Sequence, residues 1–258
     1  MRSFLNTIKQ SFAIELFKYK RTYALSLAIL APAFLAMIVF FVYFFKAEDI
    51  IRDGTNGWAH MIDYSLQFST SLLFPLFIIL LVVFIHNLEH RTSGQRLFKT
   101  LPVPSSIAYF SKFFIALSLL ILSMLVFGIF INLGAFANSY KYPELFQFDS
   151  EIFTQLYTKI SYLFICSFLM FTIQYWVSQR FSNIIIPIGI GFAGFISAMI
   201  LIQGWEHINY HPYALHLLTM ATPIEKETLR QLFTYSLAGG AGISILGYLD
   251  IKFKKLFT

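Results

Sequence analysis

Residues 64–88 read YSLQFSTSLLFPLFIILLVVFIHNL and contain no aspartate, glutamate, lysine or arginine over 25 positions. An α-helix rises 1.5 Å per residue, so about 20 apolar residues cross a hydrocarbon layer about 30 Å thick. A membrane β-strand would alternate polar and apolar residues over about ten positions, and the run Leu76–Ile85 does not alternate. This stretch therefore predicts a helix that crosses a lipid bilayer.

Five further windows are free of these four residue types and have comparable length. An ionised side chain at the centre of a bilayer costs roughly 2.5–3.5 kcal/mol, which keeps such residues out of membrane-spanning segments. Of the 258 residues, 57% are hydrophobic and 12% are charged, about half the charged fraction of soluble domains. We predict an all-α integral membrane protein, a single transmembrane domain over 1–258. Its six predicted transmembrane helices are Thr22–Phe45, Tyr64–Leu88, Phe113–Tyr140, Ile160–Gln179, Phe181–Trp205 and Gln231–Leu249.

The lysines and arginines outside the predicted spans are unevenly distributed. With the N terminus in the cytoplasm, the inner segments hold 13 of them and the outer segments hold six. That asymmetry follows the positive-inside bias of membrane proteins. Because six spans return the chain to the side on which it starts, both termini are expected in the cytoplasm (N-in, C-in), and the protein in the cytoplasmic membrane.

Residues 1–21 precede the first predicted span and have the pattern of an amphipathic helix. Phe4, Ile8, Phe12 and Leu16 recur every four residues, which aligns them along one side of a helix. Basic residues lie near the other side. Such a helix lies along the cytoplasmic interface before the chain turns into the membrane. A basic anchor that only sets the topology is the alternative interpretation.

The inner loop between the second and third predicted spans covers residues 89–104. Thr92 or Ser93 can cap a short helix there, and Pro102 must end it. The loop carries three cations, one carboxylate and an adjacent leucine-phenylalanine pair. A short amphipathic helix of this kind offers a surface for a soluble partner, whereas a helix resting on the lipid headgroups is the alternative.

Two stretches carry a resemblance to a known family. One is Ile14–Thr22, followed by an apolar run with Pro32, and the other is the inner loop with Glu89, Gly94 and Leu101–Pro104. In topology, length and loop placement the whole chain resembles the permease subunits of type-2 ATP-binding-cassette (ABC) exporters, and among them the lantibiotic-immunity-like branch. In that family the loop after the second span is the coupling helix, which docks on a nucleotide-binding subunit.

The resemblance implies which residues meet an ATPase and which partners are present. The coupling residues would be Glu89, Arg91, Gly94, Arg96, Leu97, Phe98 and Pro102, with support from Glu15, Lys18 and Lys20 on the N-terminal helix. This chain lacks the Gly-x-x-x-x-Gly-Lys-Ser/Thr phosphate loop. We therefore expect no cofactor in this chain, with ATP and Mg²⁺ on two copies of a separate ABC ATPase subunit. A second permease subunit, identical or related, would complete the transporter, and the cargo would be an amphipathic peptide, lipid or hydrophobic toxin.

Two predicted spans carry small side chains spaced by four positions, an arrangement that lets helices approach closely. The two series are Gly189, Ala193 and Ser197, and Ser236, Gly240 and Ser244. Either series packs within one subunit or between two. The pattern Gly-x-Gly-x-x-Gly at 189–194 matches the dinucleotide fingerprint in its letters only, because it lies inside an apolar span with no preceding soluble strand.

Some polar and proline residues also lie within the predicted spans. Gln174 and the serine- and threonine-rich start of the second span either line a substrate path or hydrogen-bond between helices. Pro75 and Pro187 predict kinks. Beyond the spans, the outer connection Glu206–Arg230 has apolar residues between two prolines, which predicts partly helical pieces along the membrane interface.

Other functions find less support in the sequence. His207 and His211 lie beside Glu206 and near His216, but Pro212 and the aromatic neighbours favour interfacial histidines over a metal site. The predicted spans contain no carboxylate, which disfavours a membrane enzyme and an ion-coupled carrier. No feature indicates nucleic-acid binding. A non-transporting scaffold or sensor that anchors a soluble partner through the inner loop is the main alternative to a transporter.

Overall fold

The structure is a computed structural model that describes residues 9–17, 23–51, 54–91, 104–220 and 224–254, with the backbone alone for 88–91 and 254. Within these ranges the chain forms helices joined by short connections, and no strand occurs. In chain order the elements are α1 (9–17), α2 (Tyr23–Ile50), α3 (Gly57–Phe68), a π-helical turn (Ser69–Leu73), α4 (Phe74–Arg91), α5 (Ser105–Lys141), α6 (Ser150–Arg180), α7 (Ile185–Leu201), a 3-10 turn (Ile208–Tyr210), α8 (Leu215–Leu218) and α9 (Lys226–Lys254).

The all-helical prediction is confirmed for the described residues. Five helical stretches there are long and apolar enough to cross a bilayer: Tyr23–Ile50, Gly57–Asn87, Ser105–Lys141, Ser150–Arg180 and Lys226–Phe253. The fifth predicted span, Phe181–Trp205, folds as the 17-residue α7, about 26 Å long at 1.5 Å per residue. It is shortened at its start because the Asn183 side chain accepts the N–H of Ile185 (3.0 Å) and begins the helix there.

The long helices extend past the charge-free windows. α6 begins at Ser150, ten residues before the predicted span, where the Asp149 carboxylate accepts the N–H of Glu151 (2.8 Å) and caps the helix. α5 begins at Ser105, directly after Pro104. The charge-free windows of these long helices therefore mark their apolar middle, and the helices continue into more polar residues at their ends.

The bundle consists of two closely packed helix pairs with α4 between them. α2 packs along α5, α6 packs along α9, and α4 contacts α2, α5, α6 and α7. At the end of the α2–α5 pair, the Lys141 ammonium donates to the Phe44 carbonyl oxygen (2.5 Å) and lies 4.1 Å from the centre of the Phe44 ring. This cation–π contact and hydrogen bond join the two helices where both leave the apolar layer.

The second span is interrupted by the π-helical turn Ser69–Leu73. Here the N–H of Phe74 bonds to the carbonyl oxygen of Ser69, five residues back. Pro75 follows directly and has no N–H to offer the preceding turn, so the helix widens at this point. The irregularity expected from Pro75 is present. Pro187 instead lies in the first turn of α7, where an N–H has no partner within the helix, and it opens α7 rather than kinking it.

The connection between α7 and α9 folds back into the bundle. Tyr213, Ala214, Leu215 and His216 are all buried. Tyr213 donates to Gln174 in α6, and the His216 ring lies against Phe74 with 6.0 Å between the ring centroids. Helical pieces are present as expected for Glu206–Arg230, but the part around Tyr213 enters the bundle instead of following the interface, because Gly194 on α7 leaves room for the Tyr213 ring.

Candidate functional site

Buried aromatic rings fill one end of the bundle, where α4 ends and α5 begins. We call this the loop end; α6 and α9 also end there. The Tyr175 ring centroid lies 4.5 Å from that of His86, 5.1 Å from Phe113 and 5.6 Å from Tyr109, all edge to face. These four residues form the aromatic cluster, which joins α4, α5 and α6. Such edge-to-face packing is favourable and holds the rings in fixed relative orientations.

Hydrogen bonds connect the aromatic cluster to the neighbouring helices. The Tyr109 hydroxyl donates to the carbonyl oxygen of Ser244 in α9 (3.0 Å), and the Tyr175 hydroxyl donates to the carbonyl oxygen of Tyr109 (3.4 Å). The Arg180 guanidinium pairs with the Asp250 carboxylate (2.7 Å), linking the ends of α6 and α9. This partly exposed pair contributes about 1 kcal/mol or less to stability, so its main effect is on orientation. A force applied to the ends of α4 and α5 therefore reaches α6 and α9 through short, directional contacts.

The segment predicted to be the coupling helix connects α4 to α5 and lies outside the described residues. It contains five of the seven predicted coupling residues: Gly94, Arg96, Leu97, Phe98 and Pro102. Glu89 and Arg91 are the other two, and the helical backbone of α4 includes both. Lys18 and Lys20 on the N-terminal side also lie outside the described residues. Glu15 belongs to α1 and is 1% exposed, so the chain's own atoms enclose its side chain.

The aromatic cluster was not predicted from the sequence. Tyrosine and phenylalanine in apolar runs are common on lipid-facing and interfacial surfaces, so composition did not distinguish these rings. A spacing signal was available, because Tyr109 and Phe113 are four residues apart, as are Phe171 and Tyr175. Two such i, i+4 aromatic pairs near the ends of neighbouring spans favour one shared buried face.

Gln174 connects three parts of the bundle at membrane depth. Its side-chain amide donates to the carbonyl oxygen of Pro187 (2.7 Å) and its side-chain oxygen accepts the Tyr213 hydroxyl (3.1 Å). The residue is fully buried. Of the two roles considered for Gln174 from the sequence, the structure shows hydrogen bonding between α6, α7 and the folded-back connection.

His211 has a defined tautomer because of its two hydrogen bonds. The N–H of Tyr213 donates to His211 Nδ1 (3.2 Å), so the neutral ring carries its proton on Nε2 and donates to Ser197 Oγ (3.0 Å). The Ser197 hydroxyl in turn donates to the carbonyl oxygen of Gly194. Among the described residues, no three histidine, cysteine, aspartate or glutamate side chains converge as metal ligands would.

The small residues of α7 and α9 differ in what they face. On α9, the Ser236 hydroxyl donates to the Ile165 carbonyl oxygen (2.6 Å) and accepts the Leu169 N–H (3.2 Å), so it bridges a backbone pair of α6. Gly240 faces Phe168 of α6 so closely that a Cβ would lie 2.6 Å from ring atom Cε1. Ser244 is buried beside them.

On α7, two residues of the predicted series do not pack within the described part of the chain. Gly189 and Ala193 are exposed, and no atom lies within 4 Å of a Cβ added at Gly189. The helix instead packs through Gly191, against Gln174 and Ile79, and through Gly194. Because α7 is apolar on all sides, small-residue spacing does not tell which side meets this subunit and which meets lipid or a second subunit. Whether the predicted series packs between subunits stays a prediction.

Acidification is expected to loosen the folded-back connection. Burial lowers the pKa of both His211 and His216 below the ordinary value of 6.5. Near neutral pH the two histidines are largely uncharged in both the folded and the unfolded connection. Below about pH 6.5 the histidines of the unfolded connection bind protons first, so the folded connection becomes less stable as the pH falls. Hydrogen exchange over 205–218, corrected for intrinsic rates, should therefore report more frequent opening at pH 5.5 than at 7.5, by at most about tenfold per pH unit for each histidine.

A pair of variants separates this effect from a general loss of stability. Neither ring nitrogen of His216 has a hydrogen-bond partner among the described residues, so His216→Phe keeps the contact with Phe74 and removes the titrating group. Its opening should depend less on pH. His207 is exposed, and His207→Phe should retain the wild-type pH dependence. Equal pH dependence in both variants would contradict the assignment to His216.

The number and length of the apolar helices define the class of protein. Five bilayer-length helices packed around a shared apolar core make this chain a multi-pass membrane protein. A family model described as ABC-2 family transporter protein matches residues 11–198, and the chain belongs to that family. Its members are membrane permease components of ABC transporters, which associate with ABC ATPase subunits. The match confirms the predicted superfamily, while the lantibiotic-immunity-like branch stays a prediction. Comparisons with curated proteins and with solved structures give no match.

Proposed function

We propose that this protein is the membrane-spanning subunit of an ATP-driven exporter. It would move an amphipathic molecule, namely a peptide, a lipid or a hydrophobic toxin, across or out of the membrane. The family match over residues 11–198 carries the proposal. The aromatic cluster supports it, because a transporter driven from outside its membrane domain needs a rigid contact between the driven loop and the spans.

The proposed topology has six membrane crossings with both termini in the cytoplasm, in the cytoplasmic membrane, and one domain over 1–258. α7 is the fifth crossing, and its 17 residues fall at the short end of the range that spans a bilayer. The excess of lysine and arginine on the proposed inner side, 13 against six, supports this orientation. The loop end then faces the cytoplasm.

The proposed coupling helix lies between α4 and α5 and contacts the ATPase through Glu89, Arg91, Gly94, Arg96, Leu97, Phe98 and Pro102. Two ATPase subunits would bind ATP and Mg²⁺, and Glu15, Lys18 and Lys20 would support their contact with the permease. A second permease subunit, identical or related, completes the assembly. The exposed small residues Gly189 and Ala193 are suited to a close contact between helices of two subunits. We also propose that the protein belongs to the lantibiotic-immunity-like branch of the family.

The direct experiment combines the purified permease in nanodiscs with a candidate ABC ATPase subunit from the same organism. The wild-type permease should co-purify with the ATPase and change its ATP turnover. Gly94→Leu should reduce that effect at least about fivefold, the lower end of typical coupling between sites. Gly242→Leu is the matched control, because no atom lies within 4 Å of a Cβ added at exposed Gly242. Failure to co-purify, or equal turnover with both variants, would contradict the proposal.

A distance measurement separates transport from the scaffold alternative. Spin labels at Phe84→Cys in α4 and Ile190→Cys in α7 occupy exposed positions on two contacting helices. The exporter proposal predicts a change in their separation when ATP is added to the complex. A complex that forms but shows no nucleotide-dependent change would indicate an anchoring function instead.

A further inference from the structure

The middle of the bundle contains an apolar cavity of about 370 Å³ between α2, the second span, α5 and α6. Residues of two helices that depart from the usual sequence or geometry of an α-helix line it. Pro32 lies within α2, and Ser69 and Leu73 belong to the π-helical turn of the second span.

The wall of this cavity offers nothing to a polar ligand. Its lining residues are aliphatic, aromatic or methionine except for two serines. The Ser69 hydroxyl donates to the Leu66 carbonyl oxygen (3.1 Å) and the Ser123 hydroxyl donates to the Leu120 carbonyl oxygen (2.7 Å), so both hydroxyl protons are used within their own helices. Water needs two to four polar partners to be stable in a cavity. The apolar wall therefore favours a hydrocarbon ligand over water or a polar ligand.

The cavity shares part of its wall with a groove on the outer surface of the bundle. Leu27, Ala31 and Phe34 line it and also line an open apolar groove of about 750 Å³ between α2 and α5. Phe34 is 57% exposed and lies at this shared boundary. The groove runs over Leu30 and Phe130 on the outer surface. Only apolar side chains are shared between the groove and the cavity, so an alkyl chain that displaces Phe34 would enter the bundle without crossing a polar group.

We infer that this cavity is a binding site for the alkyl chain of a membrane-dissolved amphipathic molecule, whose polar head remains outside the bundle. The chain enters laterally from the bilayer along the groove between α2 and α5. A bilayer lipid and an amphipathic cargo both supply such a chain. The site itself stands without the exporter proposal, and only the cargo assignment rests on it.

Photolabelling of the permease alone tests the site. The probe is phosphatidylcholine with a diazirine in the middle of one acyl chain, incorporated into nanodiscs that contain the purified permease. Met124 and Leu163 line the cavity and are only 6% and 3% exposed, so a lipid reaches them through the cavity. Leu120 and Ile131 are the control pair, because they are buried on the same helix as Met124 but do not line the cavity. Mass spectrometry should find several-fold more adduct on the first pair than on the second.

Substitutions at the boundary provide the second measurement. Ala31→Phe narrows the passage beside Phe34 and should abolish the adducts on Met124 and Leu163. Ala241→Phe makes the same change at an exposed position on α9, away from the cavity, and should leave them unchanged. If Ala31→Phe does not fold, Ser123→Leu fills the cavity from α5 and gives the same expectation. Equal labelling of the two residue pairs, or of Ala31→Phe and Ala241→Phe, would overturn the inference.

A further experiment identifies the molecule that supplies the bound alkyl chain. With the partner ATPase and ATP present, adducts that persist during turnover indicate a resident bilayer lipid. Adducts that decrease with turnover indicate a cargo chain that is moved on. Both outcomes support the binding site, and the exporter proposal is tested separately by the ATP turnover that the permease stimulates.

Discussion

Gly191→Leu is expected to separate α7 from the bundle and lower the free energy of unfolding by about 3 kcal/mol, the upper part of the range for overpacked interiors. A Cβ at this position would lie 2.8 Å from Gln174 Oε1 and 2.8 Å from Ile79 Cγ1. Both neighbours are fully buried, and Gln174 is held by two hydrogen bonds. Neither can move aside without leaving a polar group unpaired or a void in the core.

Gly189→Leu is the matched control, two residues earlier on the same helix. No atom lies within 4 Å of its added Cβ, and the position is exposed. Thermal and denaturant unfolding of the detergent-solubilised protein should show Gly189→Leu close to wild type and Gly191→Leu far below it. Similar stabilities for the two variants would show that α7 does not pack through Gly191. A loss of assembly with retained stability in Gly189→Leu would support the contact between permease subunits.

Gln174→Leu is the second change with a large expected effect. It removes a donor and an acceptor together, leaving the Pro187 carbonyl oxygen and the Tyr213 hydroxyl without their buried partner. Each unsatisfied buried group costs about 1–3 kcal/mol, and hydrogen bonds between membrane helices average towards the lower end. We therefore expect a loss of about 2–4 kcal/mol on unfolding.

Tyr213→Phe provides the comparison, because it removes only the hydroxyl that donates to Gln174 and keeps the ring against Gly194. Its expected cost is about 1 kcal/mol. The free energy of unfolding of the double variant should fall by less than the sum of the two single decreases, since both substitutions remove the same hydrogen bond. Strict additivity would mean that the Tyr213 hydroxyl contributes independently of Gln174.

The helical class and the positions of the apolar helix cores follow from the sequence for a physical reason. Lipid excludes ionised side chains, and the run that includes Leu76–Ile85 leaves no other structure for the chain. The same reason explains what could not be predicted. Hydropathy indicates which residues lie within the membrane but not which other helix each residue contacts. It therefore placed Gly189 and Gly191 in one span without telling which of them faces α6. The direction of Tyr213 into the bundle depends on the space at Gly194, a tertiary feature without a local pattern.

The candidate site was predicted less completely than the fold. The coupling residues came from the resemblance, and most of them lie outside the described residues. The aromatic cluster depends on three helices meeting, which no single segment encodes. The π-helical turn was anticipated only as a kink at Pro75, because the sequence shows a missing N–H but not how the helix compensates for it.

The Ser236 hydroxyl has a consequence for how this protein moves. It bonds to an amide and a carbonyl of α6, so sliding α9 by part of a turn would break both of these bonds between the helices. Sliding between the two helices is therefore disfavoured. We expect α6 and α9 to move as a pair, with bending at the widened turn of the second span.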